Sequence, residues 1–242
     1  MKPPQRGITV VFYPAKSLSL MDLLHLGLDN KDSSHTESGY YGTPQIMTLM
    51  IDFTERQRGG FKLAYFGSSN LPLTSVPPAL SVPALATNPI CAKVSFYTVK
   101  DKNGIDIILH HKYATQLADL GMEIRCLIIA NALQELVYEC IDAWLAKKGL
   151  ARLTSAVPIP EIHFVPCGIA VESNIAPEKA QVFLLEPHIK GTFRKYIHNR
   201  SPTIPSNLHG RSRSIAEFLA FCQHVQYFKT GKQVFVSDYQ GK

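Results

Sequence analysis

FLLEPHIKGTFRKYIHN, residues 183 to 199, and the closing stretch QHVQYFKTGKQVFVSDYQGK, residues 223 to 242, decide how this chain is read. In the first, an apolar strand over Val182 to Leu185 runs into Glu186 and Pro187, and the chain changes direction near Gly191. Such a strand-to-loop crossing is a place where backbone groups can hydrogen-bond a flat heterocycle such as adenine. In the second, an apolar strand over Val234 to Ser237 ends on Asp238 and Gln240. Two positions apart on a continuing strand, these side chains point to the same side. A carboxylate and an amide oxygen there are hard ligands suited to magnesium, which keeps waters and shares phosphate oxygens. The plain alternative is a polar strand end.

The 242 residues can bury a large core as one domain or two lobes, and 45% hydrophobic content describes a globular chain rather than a disordered one. A formal charge of +6 would suit polyphosphate or nucleic acid, yet the Lys and Arg residues are spread along the chain. No basic patch interleaved with aromatics supports a nucleic-acid partner. Five cysteines, with no C-x-x-C pair, argue against a disulfide framework and against a complete zinc site. The apolar run Ile8 to Tyr13 is too short for a signal h-region or a membrane span, so a cytoplasmic protein without a membrane partner is expected.

Along the chain, Gly7 to Tyr13 reads as a short strand, Leu18 to Leu28 as an apolar patch, and the polar run from Asn30 to Gly39 as a surface loop. Ile46 to Phe53, the glycines of RQRGG and FKLAYFG read as strand, turn, strand. Pro72 to Pro83, with its prolines among Ser and Thr, reads as an extended loop. Cys91 to Val99 is a strand, and a turn at Lys102, Asn103 and Gly104 predicts a hairpin with Ile105 to Leu109. Helical spacing of Leu117, Leu120, Ile124, Leu127, Ile128, Val137, Ile141 and Trp144 predicts a helix over 115–148, with a break near Gly121. Strands are predicted at Ile162 to Val165 and Ile169 to Val171, and a helix over Ile215 to His224. Strands on either side of one long helix suggest an α+β lobe with an antiparallel sheet.

Lys93 is a lone cation in an apolar strand, sharing its face with Cys91 and Ser95. A lysine held in a cleft needs an anionic partner, for which Glu123 is a candidate, with a phosphate between them. Gly59 and Gly60, flanked by Arg58 and Lys62, could let backbone amides approach a phosphate, or they could simply form a turn.

In chain order, GGFKLAY over 59–65, Lys93 in CAKVSFY, Glu123 in the long helix, E-P-x-I-x-G-x-F-x-K-Y over Glu186 to Tyr196, and H-x-x-Y with D-x-Q-G at the end resemble the alpha-kinases, an atypical protein kinase family. The resemblance covers roughly residues 55 to 241, and the two C-terminal blocks are its most specific part. It implies an α+β, two-lobed, protein-kinase-like fold with an antiparallel N-terminal sheet. The expected organisation is an extension over 1–50 and a kinase-like domain over 51–242, with its N-lobe over about 51–185 and a partial C-lobe over about 186–242.

The resemblance further implies ATP and Mg2+ as cofactors and a protein Ser/Thr as phosphoryl acceptor. Gly59, Gly60 and Lys62 would lie over the ATP phosphates, and Lys93 would contact phosphate while paired with Glu123. Leu185, Glu186, Pro187 and His188 would be the hinge that holds adenine. Asp238 would be catalytic together with Lys93, and Asp238 and Gln240 would serve magnesium. The sequence departs from the family pattern where Ile197 and His198 precede Asn199 and where Val225 follows His224. The family's second aspartate and its His/Cys zinc module have no counterpart after Gly241, which implies an incomplete C-terminal lobe with weak transfer. The alternative function is a nucleotide-binding or non-catalytic interaction module that keeps the same fold.

Overall fold

The computed structural model describes residues 6–29, 39–71, 88–152, 159–199, 201 and 203–242. Apart from Gly39, the expected loop from Asn30 and the proline-rich stretch Pro72 to Pro83 lie outside the described residues. The chain divides into two compact units. Met1–Lys16, Leu26–Ile128 and Val165–His188 form the first; Ser17–His25, Ile129–Phe164 and Ile189–Lys242 form the second.

In the first unit β1 (Arg6–Pro14), β2 (Gln45–Arg58), β3 (Lys62–Ser69), β4 (Asn88–Lys100), β5 (Asp106–His110), β6 (Gly168–Glu172) and β7 (Val182–Pro187) form a seven-stranded sheet ordered β3-β2-β1-β6-β7-β4-β5. All its pairings are antiparallel, and β3 also pairs with β4, so the sheet closes on itself and leaves β5 beside the far end of β4. The alternation of apolar residues explains the closure. Val10 and Phe12 of β1, Leu49 and Ile51 of β2, Leu63 and Tyr65 of β3, Ala92 and Val94 of β4, Ala170 of β6, and Phe183 and Leu185 of β7 are buried in one cluster. Each strand turns one face to this cluster, β6 and β7 are buried on the other face as well, and twist brings the first strand round to the last so that the faces share a core.

The N-terminal segment corrects the sequence reading. It is not an extension, because β1 lies between β2 and β6 in register with both, and Val10 and Phe12 are fully buried. The boundary expected at residue 51 therefore falls inside this sheet.

Gly67 of β3 shows how closely the strands approach. A Cβ there would stand 2.1 Å from the Met50 carbonyl oxygen and 3.0 Å from the Ile51 Cα. The obstruction is backbone, so Gly67→Ala is expected to cost about 3 kcal/mol of stability. An unchanged urea midpoint would refute this account of the strand spacing.

Helix α1 (Leu20–Asp29) occupies what reads in sequence as a mere apolar patch. Its start is a capping box: the Asp22 amide donates to Ser19 Oγ at 3.1 Å, and the Ser19 amide donates to Asp22 Oδ2 at 3.1 Å. Helix α2 (Tyr113–Ala146) runs through Gly121 without the expected break. Glycine costs about 1 kcal/mol in a helix, whereas the burial of Leu120, Ile124 and Ile128 contributes about 1.5–3 kcal/mol each.

In the second unit β8 (Arg194–Ile197) and β9 (Tyr239–Gly241) form an antiparallel ribbon beside α3 (Gly210–Lys229). Tyr196, Ile197, Leu208, Ala216, Leu219 and Tyr239 form its core, with Ile162 and Phe164 packed against it. Two strands predicted here are absent. At Ile162 to Val165 the backbone is engaged by a side chain instead: Tyr138 Oη donates to the Pro160 carbonyl at 2.9 Å and accepts from the Ile162 amide at 2.6 Å. At Val234 to Ser237 glutamines of α3 take the place of a neighbouring strand, as described below.

Candidate functional site

Closure of the sheet sorts the first-unit candidates by side-chain parity. The register Lys62↔Ser95, Ala64↔Lys93 and Phe66↔Cys91, with Cys91↔Glu186 on the next strand, puts these residues on the face opposite the core. Lys62, Lys93 and Glu186 thus share one outer face. Leu185 has the other parity and is fully buried in the core, so its side chain is withdrawn from any ligand on that face.

The ion pairs differ from those expected. Lys93 Nζ lies 2.6 Å from Glu186 Oε2, and Glu123 instead pairs with Lys62. The register accounts for the exchange: Glu186 lies across from Cys91, two residues from Lys93, within diagonal reach. Burial works against the charged ammonium of Lys93, but the Glu186 carboxylate, with help from Cys91 and Glu123, raises its pKa above the ordinary 10.5. A lysine whose pKa is raised on folding contributes stability that is present below its unfolded pKa and lost as the pH rises through the folded value. The alkaline limb of the stability profile should therefore flatten in Lys93→Met.

Across from Lys62, Ser95 is buried, and its hydroxyl has no hydrogen-bond partner among the described residues. An unsatisfied buried hydroxyl costs about 1–3 kcal/mol. Ser95→Ala is therefore expected to leave the melting temperature unchanged or to raise it, and a clear drop would show a partner missed by this geometry.

Gly59 and Gly60 form the exposed β2–β3 turn, where the Gly59 amide donates to the Lys62 carbonyl at 2.8 Å. A Cβ on Gly60 would meet nothing within 4 Å, and neither glycine has positive φ. Gly60 is thus not required by the turn itself, whereas a Cβ on Gly59 would crowd the Lys62 carbonyl oxygen at 3.3 Å. At the other end of β4 the His188 amide donates to the Pro89 carbonyl at 3.0 Å, and its ring packs on Phe66 at 4.6 Å. Of the backbone groups of the expected hinge, Leu185 to His188, this amide is thus already bonded.

In the second unit Asp238 and Gln240 flank Tyr239. Both are exposed while Tyr239 is buried, which preserves the alternation expected of them although Asp238 just precedes β9. Lys195 lies across from Gln240 and forms an ion pair with Asp238 Oδ1. This cation stands within the quoted F-x-K-Y motif, but its role was not legible there. Its signal was a lysine directly before a buried tyrosine on a strand.

The segment leading to Asp238 is held by α3. Val236 donates its amide to Gln226 Oε1 at 3.0 Å and accepts from Gln223 Nε2 at 2.7 Å, while Gln226 Nε2 donates to Tyr239 Oη at 3.2 Å. Gln226 is fully buried, and burial raises the Tyr239 pKa so that its phenol stays protonated. These glutamines escaped the sequence reading because a polar residue on a helix ordinarily faces water. Gln226→Leu is expected to cost about 2–4 kcal/mol, because it leaves the Val236 amide and the Tyr239 hydroxyl short of partners.

The donor set fits a magnesium ion. Asp238 Oδ1 is engaged by Lys195, which leaves Oδ2 and the Gln240 amide oxygen as two hard ligands on one side. Magnesium ordinarily takes one or two protein oxygens and fills the rest with water and phosphate. Among the described residues no group of three or more His, Cys, Asp or Glu side chains is placed to hold a metal. No helix among them is long and apolar enough to cross a membrane.

Comparison with known proteins shows the family and the fold. The model of the alpha-kinase family matches residues 96–242, a span that contains Glu123, Glu186, Lys195, Asp238 and Gln240 and begins just after Lys93. No curated protein sequence matches. Among solved structures, a novel alpha kinase from Entamoeba histolytica is 14% identical with a TM-score of 0.56, over 100% of this chain and 74% of that one. The apoenzyme alpha-kinase domain of myosin-II heavy chain kinase A is 14% identical with a TM-score of 0.51, over 99% and 80%. The alpha-kinase domain of myosin heavy chain kinase A in complex with AMP is 15% identical with a TM-score of 0.51, over 98% and 81%. At these identities the likeness shows the fold.

Proposed function

Because the chain belongs to the alpha-kinase family, we propose that it is an ATP-dependent protein serine/threonine kinase that uses magnesium. In the first unit Lys62 and Lys93 bind nucleotide phosphates, giving up part of their contact with Glu123 and Glu186 as the phosphates arrive. The Gly59–Gly60 turn allows close backbone approach. The segment Leu185 to His188 meets the adenine through its remaining backbone groups.

In the second unit Asp238 and Gln240 hold the metal, which when bound neutralises phosphate charge. Asp238 accepts the proton of the substrate hydroxyl as its oxygen forms a bond to the γ-phosphorus and the bond to the ADP oxygen breaks. Lys195 fixes the Asp238 carboxylate, so positioning and charge neutralisation provide the catalysis.

The observation that carries this reading is the Lys195–Asp238 pair beside Gln240, within the residues that the family model matches. The test is incubation with γ-labelled ATP, magnesium and a mixture of acceptor proteins, followed by phosphoamino-acid analysis. Label on serine or threonine supports the reading. Absence of label together with absence of calorimetric heat for ATP would sink it. Heat without label would favour the alternative, a non-catalytic nucleotide-binding module, to which the engaged His188 amide and the neutralised lysines lend support.

A further inference from the structure

β5 ends the sheet order, and among the described residues no strand lies along its outer edge. Its five residues, Asp106 to His110, pair with β4 without a break in register. Edge strands in monomeric proteins are usually guarded by proline, a bulge or a charge in mid-strand. β5 has none of these: its centre is Ile107, Ile108 and Leu109.

The face it shares with β4 is apolar and open. Tyr97 lies opposite Leu109 and Val99 opposite Ile107, and these four side chains are 38–43% exposed. An unguarded edge with an apolar face is the arrangement that accepts a further strand.

The sequence of β5 says which strand. Antiparallel pairing with itself, centred on Ile108, sets Ile107 against Leu109 and Asp106 against His110 at both ends. Parallel pairing in register would set Asp106 against Asp106. The antiparallel arrangement also has a closed two-fold axis, so it stops at two chains. His110 is prepared for the contact, because Gln181 Nε2 lies 3.1 Å from its Nδ1. With Gln181 donating to Nδ1, the imidazole keeps its Nε2 proton to give to a carboxylate.

We propose that β5 is a homodimerisation edge, at which two copies of this chain join by antiparallel pairing of Asp106–His110 about a two-fold axis at Ile108. The pairing joins the Tyr97, Val99, Ile107 and Leu109 faces of both copies into one continuous surface. It is independent of phosphoryl transfer and is tested without an activity assay.

Sedimentation velocity of the full chain over a wide concentration range is expected to show a monomer–dimer equilibrium. Ile107→Lys places an ammonium against Leu109 of the partner subunit and should weaken the dimer tenfold or more. Ile46→Lys, at a residue of β2 that is 72% exposed, should leave it unchanged. Both changes are on exposed side chains, and circular dichroism checks that each variant folds. A wild-type chain that stays monomeric throughout overturns the proposal, as does a dimer that survives Ile107→Lys or that Ile46→Lys weakens equally.

Discussion

Asp238→Ala is expected to lower phosphoryl transfer by about a thousandfold or more, with ATP affinity changed far less. The residue has two tasks in the proposed reaction, accepting the hydroxyl proton and holding the metal, and both act on the transferring phosphoryl group. Stability should hardly change. The Asp238 side chain is 40% exposed and its pair with Lys195 is close to the surface, where such pairs contribute about 0–1 kcal/mol. A magnesium titration separates the two tasks: Asp238→Asn keeps one oxygen ligand but cannot take a proton, so it should retain metal-dependent nucleotide binding while transfer fails. Near wild-type transfer by Asp238→Ala would remove Asp238 from the mechanism.

Lys93→Met is expected to weaken ATP binding by about 10- to 100-fold, the loss of one charged hydrogen bond to phosphate. This variant also strands Glu186, whose side chain is only 15% exposed, so part of the loss could come from a disturbed sheet. The double variant Lys93→Met/Glu186→Gln distinguishes the causes. Neutralising the stranded carboxylate should recover the melting temperature without recovering ATP affinity. If the double variant binds ATP as the wild type does, Lys93 is a structural lysine and the phosphate contact belongs elsewhere.

The β4–β5 hairpin shows what was legible from local pattern. A turn at Lys102, Asn103 and Gly104 between two apolar runs marks the hairpin, and the structure follows it, with Asp101 Oδ1 accepting from the Asn103 and Ile105 amides at 2.8 Å each. The strand at Gly7 to Tyr13 was equally legible as a strand, but not as a central member of the sheet, because pairing with residues 168–172 is a long-range event with no local trace. Val234 to Ser237 misled for a related reason. The apolar pattern was that of a strand, but the backbone partners turned out to be glutamine side chains from α3.

Candidate residues divide along the same line. Residue type and spacing singled out Lys93, Glu123, Glu186 and Asp238 as charges, and Gln240 as an amide two positions from Asp238, because such polar groups beside apolar runs stand out in one dimension. Which charge meets which could not be read, since two lysines and two glutamates allow two pairings of similar chemistry. By itself the sequence determined the strands of the seven-stranded sheet, the helices α2 and α3, and the types of the residues around the candidate sites. Tertiary structure alone decided that the sheet closes on itself, that Lys93 takes Glu186 and leaves Glu123 to Lys62, and that Lys195 holds Asp238. The physical reason is that ion pairs and strand neighbours depend on distances across the fold, which strand register and helix placement set only when the core packs.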